Sequence, residues 1–128
     1  MNGMPLAFLA VFCGAGLGAC IRYALGLWLN PLIAWLPLGT LSANLGGGFL
    51  VGLAVQGFVL NGTPAIWRIA AVTGFLGGLT TFSAFSAEVA ERLELGHWQQ
   101  GLSLALLHLI GSVVLTLIGF WLARAWLS

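Results

Sequence analysis

Four apolar runs, each near the length that crosses a lipid bilayer, limit this chain to one kind of fold. A membrane-spanning helix needs about 20 apolar residues. Runs of that kind lie at roughly Leu6–Leu29, Leu38–Leu60, Ile66–Leu95 and Leu102–Leu127. Between them stand Asn30-Pro31 to Pro37, Asn61-Gly62-Thr63-Pro64 and Gly96-His97-Trp98, which is helix-stop chemistry. Connections this short make consecutive helices antiparallel. The expected fold class is an all-α integral membrane protein, with one four-helix transmembrane domain over residues 1–128.

Charge agrees. Only 5% of residues are charged, against about 25% in a soluble domain, so lipid must solvate most of the surface. Four Arg, three acids and no Lys leave no basic patch for nucleic-acid phosphates and no polybasic segment for anionic lipid. Cys13 and Cys20, seven positions apart on one helix, stand about 10.5 Å apart along its axis, too far for a disulfide. Leu17-Gly18-Ala19-Cys20 imitates a lipoprotein cleavage box, but no Lys or Arg precedes it, and cleavage is not expected.

Trp28, Trp35, Trp67, Trp98 and Trp126 fall at or near the ends of the runs, where such rings favour the interface. Arg22 and Arg92 fall toward one membrane side, Arg68 and Arg124 toward the other. This balance gives the positive-inside rule nothing to act on, so two copies could insert oppositely and pair. Gly14-x-x-x-Gly18, Gly48-x-x-x-Gly52 and Gly74-x-x-x-Gly78 are small-residue stripes for close helix packing, within or between subunits.

Several polar residues lie where lipid would be. Arg22 either snorkels to the interface or makes an electropositive vestibule. Thr73-Gly74-Phe75-Leu76-Gly77-Gly78-Leu79-Thr80-Thr81-Phe82-Ser83 is a poor helix in mid-run. Either it breaks and frees carbonyls that need protein, water or an ion, or its hydroxyls bond back to their own helix. Phe82 and Phe85 share a face; they are core or lipid-facing rings, or ring edges that could solvate a small anion. Asn44 could bridge helices or offer its NH₂ to such an anion. His108, Ser112 and Thr116, each four apart, form a polar stripe that favours a polar-lined path over packing alone. Glu88 and Arg92 make an i,i+4 pair at a polar helix end, and Glu88, the deepest acid, could reach a vestibule.

These residues resemble the Fluc (CrcB) fluoride channels along essentially the whole chain. The matching stretches are Gly14-Ala15-Gly16-Leu17-Gly18-Ala19-Cys20-Ile21-Arg22-Tyr23, then Gly39-Thr40-Leu41-Ser42-Ala43-Asn44, then Gly74 through Ser83, then Gly111-Ser112 with Thr116. The resemblance implies an antiparallel, dual-topology homodimer with two pores, in the cell inner membrane of a bacterium. It implies a broken third helix whose carbonyls at Gly77 and Thr80 hold a structural Na⁺ on the two-fold axis. Asn44, Phe82, Phe85, Ser112 and Thr116 match pore positions, and Arg22 the vestibule arginine. Glu88 is expected at the vestibule, with Ser83 and His108 as further members of the polar track. Two departures stand out: Ala84 replaces a family Thr, and Leu104 a frequent Tyr. The implied function is passive export of fluoride. One competing reading is a small multidrug-type coupled transporter, but the first helix lacks the membrane-embedded acid such proteins use. Another is an intramembrane hydrolase built on Ser83 or Ser112 with His97 or His108. No Gly-x-Ser-x-Gly elbow supports it, and no enzyme activity is expected.

Overall fold

The computed structural model describes residues 3–128, so the first two residues of the expected 1–128 domain lie outside the described residues. Helix α1 spans Met4–Leu29, opens on Pro5 in its first turn and runs into a short 3₁₀ turn, Asn30–Leu32. Pro suits that place because its missing N–H would have no helical partner there. Helix α2 is Leu38–Leu60. Its first N–H groups are met by the preceding loop: Asn30 Oδ1 accepts from Gly39 N–H at 2.7 Å and Thr40 N–H at 3.2 Å. The side chain of Asn30 therefore does the work of a cap on a helix eight residues downstream.

Helix α3 covers residues 65–79 and is irregular. It begins as α-helix at Ala65–Arg68, widens to a π-helix over Ile69–Leu76, and closes with a turn of α-helix at Gly77–Leu79. Thr80 (φ −90°, ψ 154°) and Thr81 (φ −149°, ψ 123°) are extended. Helix α4, Phe82–Glu94, starts directly after them, and α5 runs Trp98–Leu127. The last helix thus begins four residues ahead of the apolar run at Leu102, because Gln99 and Gln100 continue the helix although they are polar. Gly62 (φ +60°) and Gly96 (φ +80°) make the turns after α2 and α4, in a backbone region that residues with a Cβ avoid.

Among the described residues, four segments are long and apolar enough to cross a membrane: Met4–Leu32, Leu38–Leu60, Ala65–Glu94 and Trp98–Leu127. The outer surface suits lipid. Phe8, Phe12, Trp28, Trp67 and Trp126 are all well exposed. Inside, Ala43, Leu76 and Leu79 form a small buried cluster with Leu25, Val51, Ala54 and Phe75 packed on it, and Leu104 and Ala123 are buried as well.

Backbone contact, more than side-chain interlock, holds the helices. A Cβ on Gly14 would lie 2.7 Å from Ala70 O and 2.8 Å from Phe75 N, and Gly18 and Gly78 meet backbone just as closely. The stripes Gly14/Gly18 and Gly74/Gly78 therefore face each other across the α1–α3 contact. Gly48 and Gly52 meet α5 around Ser112, Thr116 and Gly119. All three stripes serve packing within one chain. Cys13 and Cys20 are free thiols.

Candidate functional site

The extended pair Thr80-Thr81 organises the polar interior. Leaving the helix deprives the neighbouring peptide groups of their usual partners, and one side chain answers most of that need. Asn44, from the second turn of α2, accepts Thr81 N–H on Oδ1 at 2.7 Å and donates from Nδ2 to Thr81 O at 2.8 Å. This two-point grip fixes which end of the amide is which, since the flipped amide would set N–H against N–H and oxygen against oxygen.

The same Nδ2 lies 2.9 Å from His108 Nδ1 on α5. An amide nitrogen can only donate, so His108 Nδ1 accepts and the ring proton sits on Nε2. That Nε2 is buried and has no hydrogen-bond partner. The imidazole stacks on Phe85, with centroids 4.4 Å apart and planes 26° apart, and Phe85 meets Phe82 in a T-shaped contact at 5.4 Å.

Thr81 also starts α4. Its Oγ1 accepts Ala84 N–H at 3.1 Å, the ordinary N-cap arrangement. Thr80 Oγ1 donates back to Leu76 O at 2.8 Å. Thr116 Oγ1 lies 2.9 Å from Gly48 O and 2.8 Å from Ser112 O, so its single proton is shared between two carbonyls. Asn44, Phe82, Phe85, His108, Ser112 and Thr116 line one cavity of about 360 Å³ between α2, α4 and α5. Ser83 lies outside that lining; its Oγ is 3.4 Å from Thr81 Oγ1.

Two expected residues are engaged differently from the simplest reading of the sequence. Glu88 Oε1 accepts from Thr40 Oγ1 at 2.6 Å, and Arg92 donates to Ala34 O at 3.2 Å. The chain offers each a closer fixed partner than the flexible i,i+4 pair would provide. Arg22 Nε donates to Gly78 O at 3.2 Å in the last turn of α3.

Thr81 and Thr40 were not singled out by sequence reasoning. Thr81 carried a usable signal, a hydroxyl three residues before Ala84 at the start of an apolar helix. Nothing local marks Thr40 as the partner of an acid 48 positions away.

Whether the freed carbonyls suit a cation can be tested on the backbone. In a continuous helix Gly77 O would accept from Thr81 N–H, and Thr80 O from Ala84 N–H. Both donors are turned elsewhere, to Asn44 and to Thr81 Oγ1. Gly77 O and Thr80 O are thus released from helical bonding. Hard carbonyl oxygens of this kind fit a small hard cation. Among the described residues no group of three or more His, Cys, Asp or Glu could hold a metal.

A family model described as CrcB-like protein, Camphor Resistance (CrcB), matches residues 9–120. A protein named fluoride-specific ion channel FluC from Burkholderia pseudomallei is 50% identical over 126 residues, with 98% of each chain covered. Proteins of the same name from Burkholderia thailandensis and Burkholderia cenocepacia match to the same extent, 50% over 126 residues.

Proposed function

The chain belongs to the CrcB family, and from that premise we propose that it is one subunit of a fluoride-specific ion channel, in the inner membrane of a bacterium. It is a channel of four membrane-crossing segments in a single domain, and not an enzyme. The observation that carries the reading is the cavity in which Phe82, Phe85, Ser112 and Thr116 meet beside the extended Thr80-Thr81. Ring edges and hydroxyls can replace the water that a small, tightly hydrated anion must shed.

In this reading residues 65–94 form one membrane span, interrupted near its middle. A second copy, inserted the opposite way, covers the interruption. Two observations support the pairing. The arginines divide evenly between the two sides, and Thr73, Gly77, Phe82 and Ser83 are exposed in the single chain. Polar backbone at membrane depth is tolerated only when protein or a water-filled path covers it. Gly77 and Thr80 would hold a structural Na⁺ through their carbonyl oxygens, the same two residues from the partner copy completing the set. That ion would supply fixed positive charge beside an anion path.

Transport is passive. HF enters a cell as a neutral acid and dissociates there. An inside-negative potential favours outward movement of the anion by about 2.3 kcal/mol per charge per 100 mV. The names of the relatives give the coupled-transporter reading no support. Fluoride release from liposomes holding the purified protein, with voltage clamped by a potassium gradient, tests the reading. Release set by voltage and fluoride gradient, with chloride retained, is the expected result. Chloride leaving as fast as fluoride, or release that stops when a proton gradient is collapsed, overturns it.

A further inference from the structure

We infer that the groove between the end of α2 and the start of α3 takes an acyl chain of an anionic phospholipid, with Arg68 on the phosphate. Such a site needs only the membrane setting of the chain, whatever the chain conducts. Arg22 and Arg92 each donate to a backbone carbonyl. Among the described residues, no acid and no carbonyl meets the guanidinium of Arg68, which is exposed. Arg68 stands three residues into the span Ala65–Glu94, about 4.5 Å below its start. Its neighbour Trp67 is 64% exposed, as suits a ring at the membrane interface. A charge at that depth is costly unless its head reaches water or an anion.

Arg68 also lines a groove. Val55, Phe58 and Val59 from the last two turns of α2, with Val72 from α3, make an apolar trough of about 450 Å³ that has Arg68 in its wall. Val59 is 61% exposed, so the trough opens outward, where lipid tails lie. Thr73, five residues beyond Arg68, marks the inner end of the trough, where the face given above to a second copy begins. A comparable groove between α4 and α5, lined by Val89, Leu93, Trp98 and Leu102, carries no charged side chain. Apolar surface alone would accept the tail of any lipid. A free guanidinium at the surface end of the trough adds a choice of headgroup. It can meet phosphate oxygens through two parallel N–H bonds. A phosphate without a compensating choline keeps the net charge that favours this contact.

The test uses the intact protein. Purified protein in detergent is mixed with phosphatidylglycerol and phosphatidylcholine of the same acyl chains, and native mass spectrometry reads the lipid retained. Wild type should keep phosphatidylglycerol about fivefold better than phosphatidylcholine. Arg68→Gln should abolish that preference and leave weak binding of both. Val55→Trp, which fills the trough, should lower retention of both lipids with Arg68 in place. Leu102→Trp, in the charge-free groove, should leave the preference as it is. Equal retention of the two lipids by wild type overturns the inference, and so does an unchanged preference in Arg68→Gln. No retention of either lipid also overturns it, the result expected if a second copy closes the trough. Glycerol phosphate that displaces the phosphatidylglycerol at equal concentration would reduce the site to an anion contact and overturn the part played by the groove. Should Val55→Trp fail to fold, Arg68→Gln, a change to an exposed side chain, still decides the matter.

Discussion

Asn44 holds Thr81 by both of its backbone groups, N–H at 2.7 Å and C=O at 2.8 Å. A single side chain on α2 thereby satisfies the donor of one peptide group and the acceptor of the next, both left without helical partners by the extended segment. Asn44→Ala should leave three polar groups unmet, Thr81 N–H, Thr81 O and His108 Nδ1, each costing about 1–3 kcal/mol where it is buried. Thermal unfolding in detergent should show a clear drop. Asn44→Asp keeps the acceptor but loses both donors and adds negative charge, so fluoride release should fall about tenfold or more, equivalent to about 1.4 kcal/mol.

Thr81 caps α4 through Oγ1. Thr81→Ala should destabilise by about 1 kcal/mol, the usual value of an N-cap. Thr81→Ser should keep most of that stability. The comparison is made by unfolding in the same detergent, and equal midpoints for wild type and Thr81→Ala would rule the cap out as a stabilising contact.

Close backbone contact predicts a sharp difference between glycines. A Cβ on Gly119 would come within 2.5 Å of Phe49 O, whereas one on Gly16 meets nothing within 4 Å. Gly119→Ala should cost about 1–3 kcal/mol through forced separation of α2 and α5. Gly16→Ala should be neutral or stabilising by up to about 1 kcal/mol, because alanine favours the helix. Expression level and unfolding midpoint check both.

Thr40 and Glu88 share a short hydrogen bond across 48 positions of sequence. Thr40→Val should leave a partly buried carboxylate without its donor, at a cost of about 1.5–3 kcal/mol. Thr40→Ser should restore it. Unfolding of the three proteins side by side reads the difference.

The proposed sodium at Gly77 and Thr80 has its own test. Protein prepared without Na⁺, in a buffer of a large organic cation, should release fluoride about tenfold more slowly or worse, an effect of about 1.4 kcal/mol or more. Adding Na⁺ back should restore the rate. Unchanged release without Na⁺ would remove the ion from the account.

The spans were legible in the sequence because length and hydropathy decide them, and the turns because Gly62 and Gly96 stand where the chain reverses. The polar stripe of His108, Ser112 and Thr116 was legible as a stripe, and all three residues line the cavity. What each one does was not. Thr116 bonds to the carbonyl of Gly48, and His108 takes its tautomer from Asn44, 64 positions earlier. Such pairings arise only when helices dock, and no local spacing encodes them. The π-helical stretch Ile69–Leu76 was also hidden, since Ile, Ala and Val read as ordinary apolar helix. The facing of the Gly14/Gly18 and Gly74/Gly78 stripes could be guessed as tight packing, but not as a contact inside one chain.

Arg22 touches the carbonyl of Gly78 in the final turn of α3. The C-terminal end of a helix carries partial negative charge, about half an elementary unit, and here that pole lies within a membrane-crossing segment of a protein built to pass an anion. A guanidinium placed on it cancels the repulsion at its source. In the proposed channel this charge would shape the electrostatic profile of the path without meeting the ion, and replacing Arg22 should slow fluoride release without touching any surface the ion crosses.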